Sequence, residues 1–435
     1  MFNPREAALN SLVKWEVNGA YSNIELNTAI SRANAQQIDI SLYTLLFLGV
    51  IEKKLLLDLI IKKYSKVKLE EIDTEVKNIL RLGIYQLIFT DKIPEYSAVD
   101  ESVNLAPKKA KGYVNAILRS FIRDGKAYEL PKEKFERISL EYSIPMELIE
   151  VFKDSYGEKI TEEICTLPPQ KSPLCLRVNT LRTSQDELIL KIKEMGGEAE
   201  KSQIAKDIIK TNLPISRLEG LIEAGEAFVQ DESSRIASIV IGAMPNEIVA
   251  DVCACPGGKS FSVAIDMQNK GELHSSDLHK SKLSLVEKGA KRLGIDIIST
   301  RVQNAKEYQE ENKEKYDRVL CDVPCSGLGV IFKKPDIKYK STEAYLNLPA
   351  VQYDILTTSS KYLKKGGILV YSTCTLNKAE NENIIEKFLL ENDDFEALDF
   401  ELGDIKSTKG GYTFFPHITK TDGFFVARIR KKDDE

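Results

Sequence analysis

The sequence is short of several residue types and patterns. It has only 3 histidines and 1 tryptophan among 435 residues. Its longest apolar stretch, TLLFLGVI at 44–51, is much shorter than the roughly 20 residues of a membrane-spanning helix. The amino-terminal segment lacks the apolar centre and small-residue cleavage site of a signal peptide. We therefore predict no membrane span and a cytoplasmic location.

The chain also lacks an excess of basic residues and a disulfide framework. Its 61 Lys and Arg stand against 66 Asp and Glu, which gives a formal net charge of −5. That balance does not exclude nucleic acid as a partner, because binding depends on where the basic residues lie. The 7 cysteines are scattered and odd in number, so we expect free thiols, available for packing, metal binding or catalysis.

The patterning predicts three domains in a chain of this length. Residues 1–140 repeat apolar residues at spacings of three and four, which indicates an all-α domain. Residues 141–225 contain a strand, a turn, a helix and a Gly-Gly stop, which indicates a small α+β domain. Residues 226–435 alternate strands with helices, as in a doubly wound Rossmann-like α/β domain, and close with an antiparallel edge hairpin.

Basic residues gather near the end of the helical region. Lys108, Lys109 and Lys111 precede a predicted helix, and Arg119 and Arg123 lie one turn apart on it. This cluster is a candidate phosphate-facing surface. A solvated helix face is an equally good interpretation of the same charges.

A turn after the first strand of the α/β domain has the features of a ligand-binding turn. In DVCACPGGKS, at 251–260, Pro256 stiffens the chain and Gly257 and Gly258 let the backbone approach a ligand at a helix amino terminus. Asp277 ends the next strand, where an acidic residue binds ribose hydroxyls. Neither the G-x-G-x-x-G fingerprint nor a P-loop occurs at this strand, so we predict S-adenosylmethionine rather than a pyrophosphate cofactor. A glycine-capped turn beside a solvated aspartate is the alternative.

A third strand region ends near Asn304. The Asn304 carbonyl could accept a hydrogen bond from the amino group of adenine.

Two thiols and a carboxylate follow neighbouring predicted strands. One strand ends at Asp322, with Cys325 just after it, and the next ends at Cys374. Neighbouring strands lie about 4.8 Å apart, and ligands bind beyond the carboxyl ends of such strands. We therefore expect both thiols to face the cofactor pocket.

Such an arrangement suits methylation of a pyrimidine at carbon 5. That carbon is a poor nucleophile until a thiolate adds at carbon 6, and covalent catalysis divides the reaction into two easier steps. A carboxylate such as Asp322 could protonate or hydrogen-bond ring N3, and a second thiol suits the release of the first.

The other cysteines and the histidines have simpler interpretations. C-x-C and C-x-x-x-C pairs fit structural zinc poorly, so we predict no metal site. No histidine pairs with a cysteine by spacing, which argues against a papain-like protease. Packing thiols are the alternative for Cys165, Cys175, Cys253, Cys255 and Cys321.

Several segments resemble a known family. DVCACPGGKS, DVPCSGLG and YSTCT are similar to three motifs of the Sun/Fmu RNA 5-methylcytosine methyltransferases, and the similarity extends to LRVNTLRTS, VQDESSRIAS and TDGFFVARIRK. The first region, with YSNIELN and IPEYSAVDESVNLAPKKAKGYVNAILRSFIR, resembles the RNA-binding domain of the antitermination factor NusB. Together these segments cover nearly the whole chain.

The resemblance implies a class I methyltransferase domain and a role for each matching residue. Cys374 would be the nucleophile, Cys325 would assist product release, and Asp322 would contact the base and the cofactor. The implied cofactor-binding residues are Cys253, Ala254, Cys255, Pro256, Gly257, Gly258, Lys259, Asp277, Asn304 and Asp322. The chain departs from the family at Cys255, where Ala is common, and at Asn304, where Asp is common.

The resemblance implies methylation of carbon 5 of a cytosine in 16S ribosomal RNA, with S-adenosylmethionine as cofactor, and this is the predicted function. We expect a monomer whose partners are ribosomal RNA and small-subunit assembly intermediates, with the target base extruded into the pocket. A non-catalytic RNA-binding or ribosome assembly factor on the same fold is the alternative. A nicotinamide oxidoreductase is disfavoured because the glycine fingerprint is absent.

Overall fold

A computed structural model describes residues 3–19, 25–26, 28–29, 40–167, 173–341 and 343–433. Most of the YSNIELN motif at 21–27 lies outside these residues. The chain forms two compact units. One comprises Met1–Leu167 and Ile331–Lys340, and the other comprises Pro168–Val330 and Ser341–Glu435.

The first unit is helical, as the spacing of its apolar residues predicts. Its helices are α1 (Pro4–Asn18), α2 (Ser41–Glu52), α3 (Lys54–Tyr64), α4 (Thr74–Phe89), α5 (Glu95–Leu105), α6 (Lys111–Arg123), α7 (Lys134–Glu141) and α8 (Met146–Cys165). Asp73 starts α4 by accepting hydrogen bonds from two backbone N–H groups of its first turn. The apolar face of α6 is buried at Val114, Ile117, Leu118 and Phe121, so the basic residues occupy its other side.

The segment Ile331–Lys340 packs in the helical unit although it lies within 226–435 of the sequence. Its 3₁₀ helix, Pro335–Tyr339, brings the Tyr339 ring edge-on to Trp15, with centroids 5.7 Å apart. The Lys338 ammonium donates a hydrogen bond to the Glu52 carbonyl at 3.1 Å. These aromatic and polar partners explain why the segment belongs to this unit, which no local pattern signalled.

The second unit begins with a small antiparallel sheet. Its elements are β1 (Leu174–Val178), α9 (Gln185–Glu194), β2 (Ala199–Lys201), β3 (Ile208–Thr211), α10 (Ile215–Glu223) and β4 (Ala227–Val229), with strand order β2-β3-β1-β4. The predicted strand, turn and helix are present, and Ser184 and Glu187 form a capping box at the start of α9. β4 lies beyond the predicted boundary at 225, because it pairs with β1.

A larger mixed sheet carries the rest of this unit. Its elements are α11 (Glu232–Ile241), β5 (Ile248–Asp251), α12 (Gly258–Asp266), β6 (Glu272–Asp277), α13 (Lys280–Leu293), β7 (Ile298–Val302), β8 (Tyr316–Asp322), α14 (Glu343–Leu346), α15 (Leu348–Ser360), β9 (Leu363–Thr373), α16 (Glu382–Glu391), β10 (Phe395–Ala397), β11 (Glu401–Leu402), β12 (Ile405–Lys406), β13 (Gly411–Phe414), α17 (Pro416–Thr419) and β14 (Phe424–Lys431). The strand order is β10-β14-β9-β8-β5-β6-β7, with β13 on β14. Strands β5 to β9 are parallel, which confirms the doubly wound prediction.

The carboxyl-terminal hairpin differs from its prediction. β13 and β14 are antiparallel as expected, but β14 is not at the edge of the sheet, since it pairs with β9 on one side and with β10 and β13 on the other. The reason lies in the sequence FFVARI: the first four residues of β14 are all buried, which a central strand requires. None of the described helices is long and apolar enough to cross a membrane.

Candidate active site

Two parallel strands bring a pair of thiols together. β8 and β9 pair with Asp322 opposite Ser372, so their carboxyl ends lie side by side. Cys325 and Cys374 follow these two ends, and their Sγ atoms are 3.3 Å apart. The next turn adds support, because the Gly329 N–H donates to the Cys374 carbonyl at 3.0 Å. The structure thus places both sulfurs in one half-buried position beyond the sheet.

The thiols of the pair differ in their surroundings. The hydrogen bond with Cys374, together with burial, raises the pKa of Cys325 well above its ordinary value. Cys325 therefore keeps its proton near neutral pH. A protonated Cys325 can donate a hydrogen bond to the Cys374 sulfur.

The carboxylate of Asp322 is held from two sides. The Lys259 ammonium donates to Oδ2 at 2.7 Å, and the Ser372 hydroxyl donates to Oδ1 at 2.7 Å. Burial lowers the pKa of Lys259, but the Asp322 carboxylate raises it by more, so the pKa of Lys259 lies above its ordinary value. The two groups therefore form a charged pair next to the thiols, and Lys259 links this pair to the glycine turn.

The turn before α12 is tight and depends on glycine. Gly257 has φ +113°, and a Cβ there would lie 2.5 Å from the Phe261 ring. At Gly258 a Cβ would have its nearest neighbour at 3.7 Å. Gly258 begins α12 without a side-chain cap, so the first N–H groups of that helix face the turn. The peptide bond between Cys255 and Pro256 is cis.

A buried carboxylate behind the turn was missed in the sequence. Asp251 ends β5, is 1% exposed, and accepts a hydrogen bond from Ser260 at 2.6 Å through Oδ2. Within the described part of the chain, its Oδ1 has no hydrogen-bond partner. Burial raises the pKa of Asp251 to about 7. The available signal was its place at the carboxyl end of a strand just before the glycine turn.

Comparison with known families matches the chain in three parts. The family described as 16S rRNA methyltransferase RsmB/F matches residues 238–430. The NusB family matches residues 2–123, and an RsmF/B-like ferredoxin-like domain matches residues 144–216. A Bacillus subtilis protein named "Probable ribosomal RNA small subunit methyltransferase B" is 36% identical, and the match covers 98% of each chain. The chain belongs to the RsmB/F family.

Other RsmB/F relatives and solved structures agree over most of the length. Ribosomal RNA small subunit methyltransferase B of Pseudomonas syringae is 30% identical over 99% of this chain and 97% of its own. The crystal structure of PH0851 is 26% identical, with a TM-score of 0.82 and coverage of 99% of both chains. A methyltransferase homolog protein from Pyrococcus horikoshii is 28% identical with a TM-score of 0.59, covering 68% of this chain and 97% of that chain.

The RsmB/F site fits S-adenosylmethionine, the cofactor that the sequence predicted. The unpartnered Oδ1 of Asp251 is a buried acceptor suited to a cationic or donor group of a ligand. Asp277 ends β6, and one of its oxygens accepts from the His279 N–H at 2.9 Å. Burial, and then the Asp277 carboxylate, raise the pKa of Cys255 to about 12, so this cysteine adds a thiol donor beside Asp277.

Asn304, the other departure from the family pattern, is engaged within its own loop. Its Nδ2 donates to Glu307 at 2.9 Å, and its Oδ1 accepts from the Lys306 N–H at 3.2 Å. The predicted adenine contact would have to share that oxygen, and it stays a prediction.

Three other cysteines of the RsmB/F chain, Cys165, Cys253 and Cys321, are buried or partly buried. Burial raises the pKa of Cys165 and of Cys321 to about 12 and that of Cys253 well above its ordinary value. Their thiols therefore stay protonated, as packing residues do. Cys253 lies beside Cys321 beneath the cofactor turn, so its predicted cofactor contact would come through its backbone.

Proposed function

We propose that the chain methylates carbon 5 of a cytosine in 16S ribosomal RNA through a covalent cysteine adduct. The observation that supports this most directly is the 3.3 Å separation of the Cys325 and Cys374 sulfurs, beside the Asp322 carboxylate. Names of relatives support the substrate class, since they are ribosomal RNA small subunit methyltransferases. The thiol pair supports the finer assignment to carbon 5.

In this mechanism Cys374 is the nucleophile. Its thiolate sulfur forms a bond to carbon 6, and the electron pair of the carbon 5–carbon 6 double bond becomes available at carbon 5. S-adenosylmethionine, when bound, supplies the methyl group that carbon 5 receives. To neutralise the charge that develops at ring N3, Asp322 must carry a proton, which the Lys259 ammonium bonded to its Oδ2 can supply, while the Ser372 hydroxyl holds its Oδ1.

Cys325 then serves the release step. Once Cys325 has lost its own proton to solvent, its thiolate sulfur accepts the proton of carbon 5, the carbon 5–carbon 6 double bond re-forms, and the bond between carbon 6 and the Cys374 sulfur breaks. Carbons 5 and 6 are bonded neighbours, so two sulfurs 3.3 Å apart can serve both. The high pKa of Cys325 makes its thiolate a strong base, at the cost of a small thiolate fraction near neutrality.

The cofactor would be held by the residues around the glycine turn. These are the sequence-predicted Cys253, Ala254, Cys255, Pro256, Gly257, Gly258, Lys259, Asp277, Asn304 and Asp322, to which the geometry adds Asp251. Asp277 suits the ribose hydroxyls, and the N–H groups at the start of α12 suit a carboxylate.

RNA would be bound by the helical and small α+β domains, with the target base turned out of its stack. Lys108, Lys109, Arg119 and Arg123 are exposed and available to phosphates. Arg119 also bonds to Asn115 at 2.8 Å, as an ordinary solvated helix face would show. We further propose a monomer that acts on ribosomal RNA or on small-subunit assembly intermediates.

The test is Cys374→Ala, with Cys321→Ala as the matched control. Both remove one thiol at strands β8 and β9, but Cys321 is a fully buried residue of β8. RNA carrying 5-fluorocytidine should trap wild-type protein in an adduct that survives denaturant, because fluorine cannot leave carbon 5 as a proton does. Cys374→Ala should form neither adduct nor 5-methylcytosine, whereas Cys321→Ala should form both. Methyl transfer by Cys374→Ala would contradict the proposal.

A further inference from the structure

A buried carboxylate next to the thiol pair, that of Glu380, takes no part in the proposed chemical steps. Glu380 is 0% exposed and ends the 3₁₀ helix Lys378–Glu380. Its Oε2 accepts from the Ser326 N–H and from Gln352 Nε2, both at 2.9 Å. Its Oε1 accepts from the Ser326 hydroxyl at 2.5 Å and from Asn377 Nδ2 at 2.9 Å. Four donors thus converge on one carboxylate.

These hydrogen bonds hold the Cys325 loop on both sides of the thiol. Ser326, the residue after Cys325, is bonded through its backbone and its side chain. Gln352, while donating to Glu380, also donates to the Pro324 carbonyl just before Cys325 at 2.9 Å. Glu380 therefore restrains the position of Cys325 through its neighbours in the chain.

The Cys374 loop is tied to the same place. Asn381 follows Glu380; it accepts from the Thr373 hydroxyl at 2.6 Å and donates to the Thr375 carbonyl at 3.0 Å. The Ser326 and Thr375 hydroxyls are 2.7 Å apart, which joins the two loops directly. Both sulfurs are thus held by residues that meet at Glu380 and Asn381.

We propose that Glu380 is a positioning residue that sets the separation of the Cys325 and Cys374 sulfurs and so governs the release step. The catalytic consequence rests on the proposed function, whereas the effect on the sulfur separation does not. An ionised carboxylate without its donors would be costly to bury, and an apolar residue would fill this space without joining the loops. A carboxylate has acceptor sites only, so it can accept a hydrogen bond from each of the four donors.

The two test variants are Ser326→Ala and Glu380→Gln, and Ser360→Ala is the matched control. Ser326→Ala removes the hydroxyl that joins Glu380 to Thr375 but keeps the backbone N–H bond. In Glu380→Gln one acceptor oxygen is replaced by an NH₂ donor. The Ser326 hydroxyl can then bond to this group only if it turns and accepts instead of donating. Ser360 is also a buried serine, but its hydroxyl bonds to the Thr357 carbonyl within α15.

The first measurement uses ordinary RNA and compares denaturant-resistant adduct with methylated product. Both variants should raise the ratio of adduct to product by at least about tenfold relative to wild type, because Cys325 is displaced from the carbon that must lose its proton. Ser360→Ala should leave the ratio unchanged. A merely structural role would lower adduct and product together with the folded fraction, and an unchanged ratio would overturn the proposal.

The second measurement needs no RNA. Iodoacetamide alkylation of Cys325 is followed against pH by mass spectrometry. Its midpoint should fall toward the ordinary thiol value of about 8.5 in both variants and stay high in Ser360→Ala. If wild-type protein makes no 5-methylcytosine, the proposed function fails, and alkylation alone decides whether Glu380 sets the separation. A wild-type midpoint in both variants would show that it does not.

Discussion

Replacing Cys325 by alanine should separate addition from release. The substitution removes the sulfur that lies 3.3 Å from the Cys374 sulfur and leaves the nucleophile in place. The proton on carbon 5 then has no positioned acceptor, so the bond between Cys374 and carbon 6 cannot break at its normal rate. We expect protein and ordinary RNA to accumulate as a denaturant-resistant adduct.

The expected magnitudes decide which step is affected more. A positioned general base contributes about 10² to 10⁴ in rate, or about 3 to 5 kcal/mol of barrier, and release should lose that much. Addition loses one hydrogen bond between thiols, about 0.5 to 1.5 kcal/mol, so it should slow by about tenfold or less. Because release slows more than addition, the adduct should dominate. Loss of one half-buried thiol should cost about 1 kcal/mol of folding free energy.

The assay is a single-turnover reaction with labelled RNA, resolved on a denaturing gel, alongside Cys321→Ala. The control removes a thiol that is 0% exposed and raised in pKa by burial, so its product yield should match wild type. A Cys325→Ala protein that is folded and inactive but forms no adduct would refute the assignment of Cys325 to release. Normal turnover by that variant would refute it equally.

Three further predictions concern pH and the cofactor turn. In the free protein the hydrogen bond with Cys374 and burial raise the pKa of Cys325, and burial remains when the Cys374 sulfur is bonded to carbon 6. Release needs the Cys325 thiolate, so the release rate of the wild-type protein should keep rising from about pH 7 to about pH 9 in rapid-quench experiments. A plateau near neutrality would count against this base. In Gly257→Ala the new Cβ would meet Phe261 at 2.5 Å in a backbone with φ +113°. This variant should lose about 1 to 3 kcal/mol of folding free energy and bind S-adenosylmethionine more weakly in calorimetry. In the control Gly258→Ala the nearest neighbour of the Cβ is at 3.7 Å, so this variant should unfold at nearly the wild-type temperature. The pKa of Asp251 is raised to about 7, so its contribution to stability is present below its unfolded pKa of about 4 and is lost as pH rises to about 7. This loss is on the order of 4 kcal/mol. It should be absent from the pH dependence of thermal unfolding of Asp251→Asn, and a pH dependence equal to that of the wild type would contradict the prediction.

Local patterns in the sequence determined much of this protein. Apolar spacing predicted the helical unit, since one buried face repeats with the period of a helix. Strand ends followed by DVPC and STC predicted that two thiols would lie together, because parallel neighbours in a sheet end at the same edge. The glycine turn before α12 could be read because positive φ and close approach demand glycine.

Tertiary structure alone decided the features that join distant segments. β14 took a central place in the sheet because its pairing with β9 could not be read from the hairpin itself. The segment Ile331–Lys340 found its partners in the helical unit, hundreds of residues away in sequence. Glu380 accepts hydrogen bonds from Ser326, 54 residues earlier in the chain, and Asp251 is buried with Ser260 as the hydrogen-bond partner of one oxygen. Such contacts depend on which surfaces the folded chain brings together, and no short stretch of sequence records that.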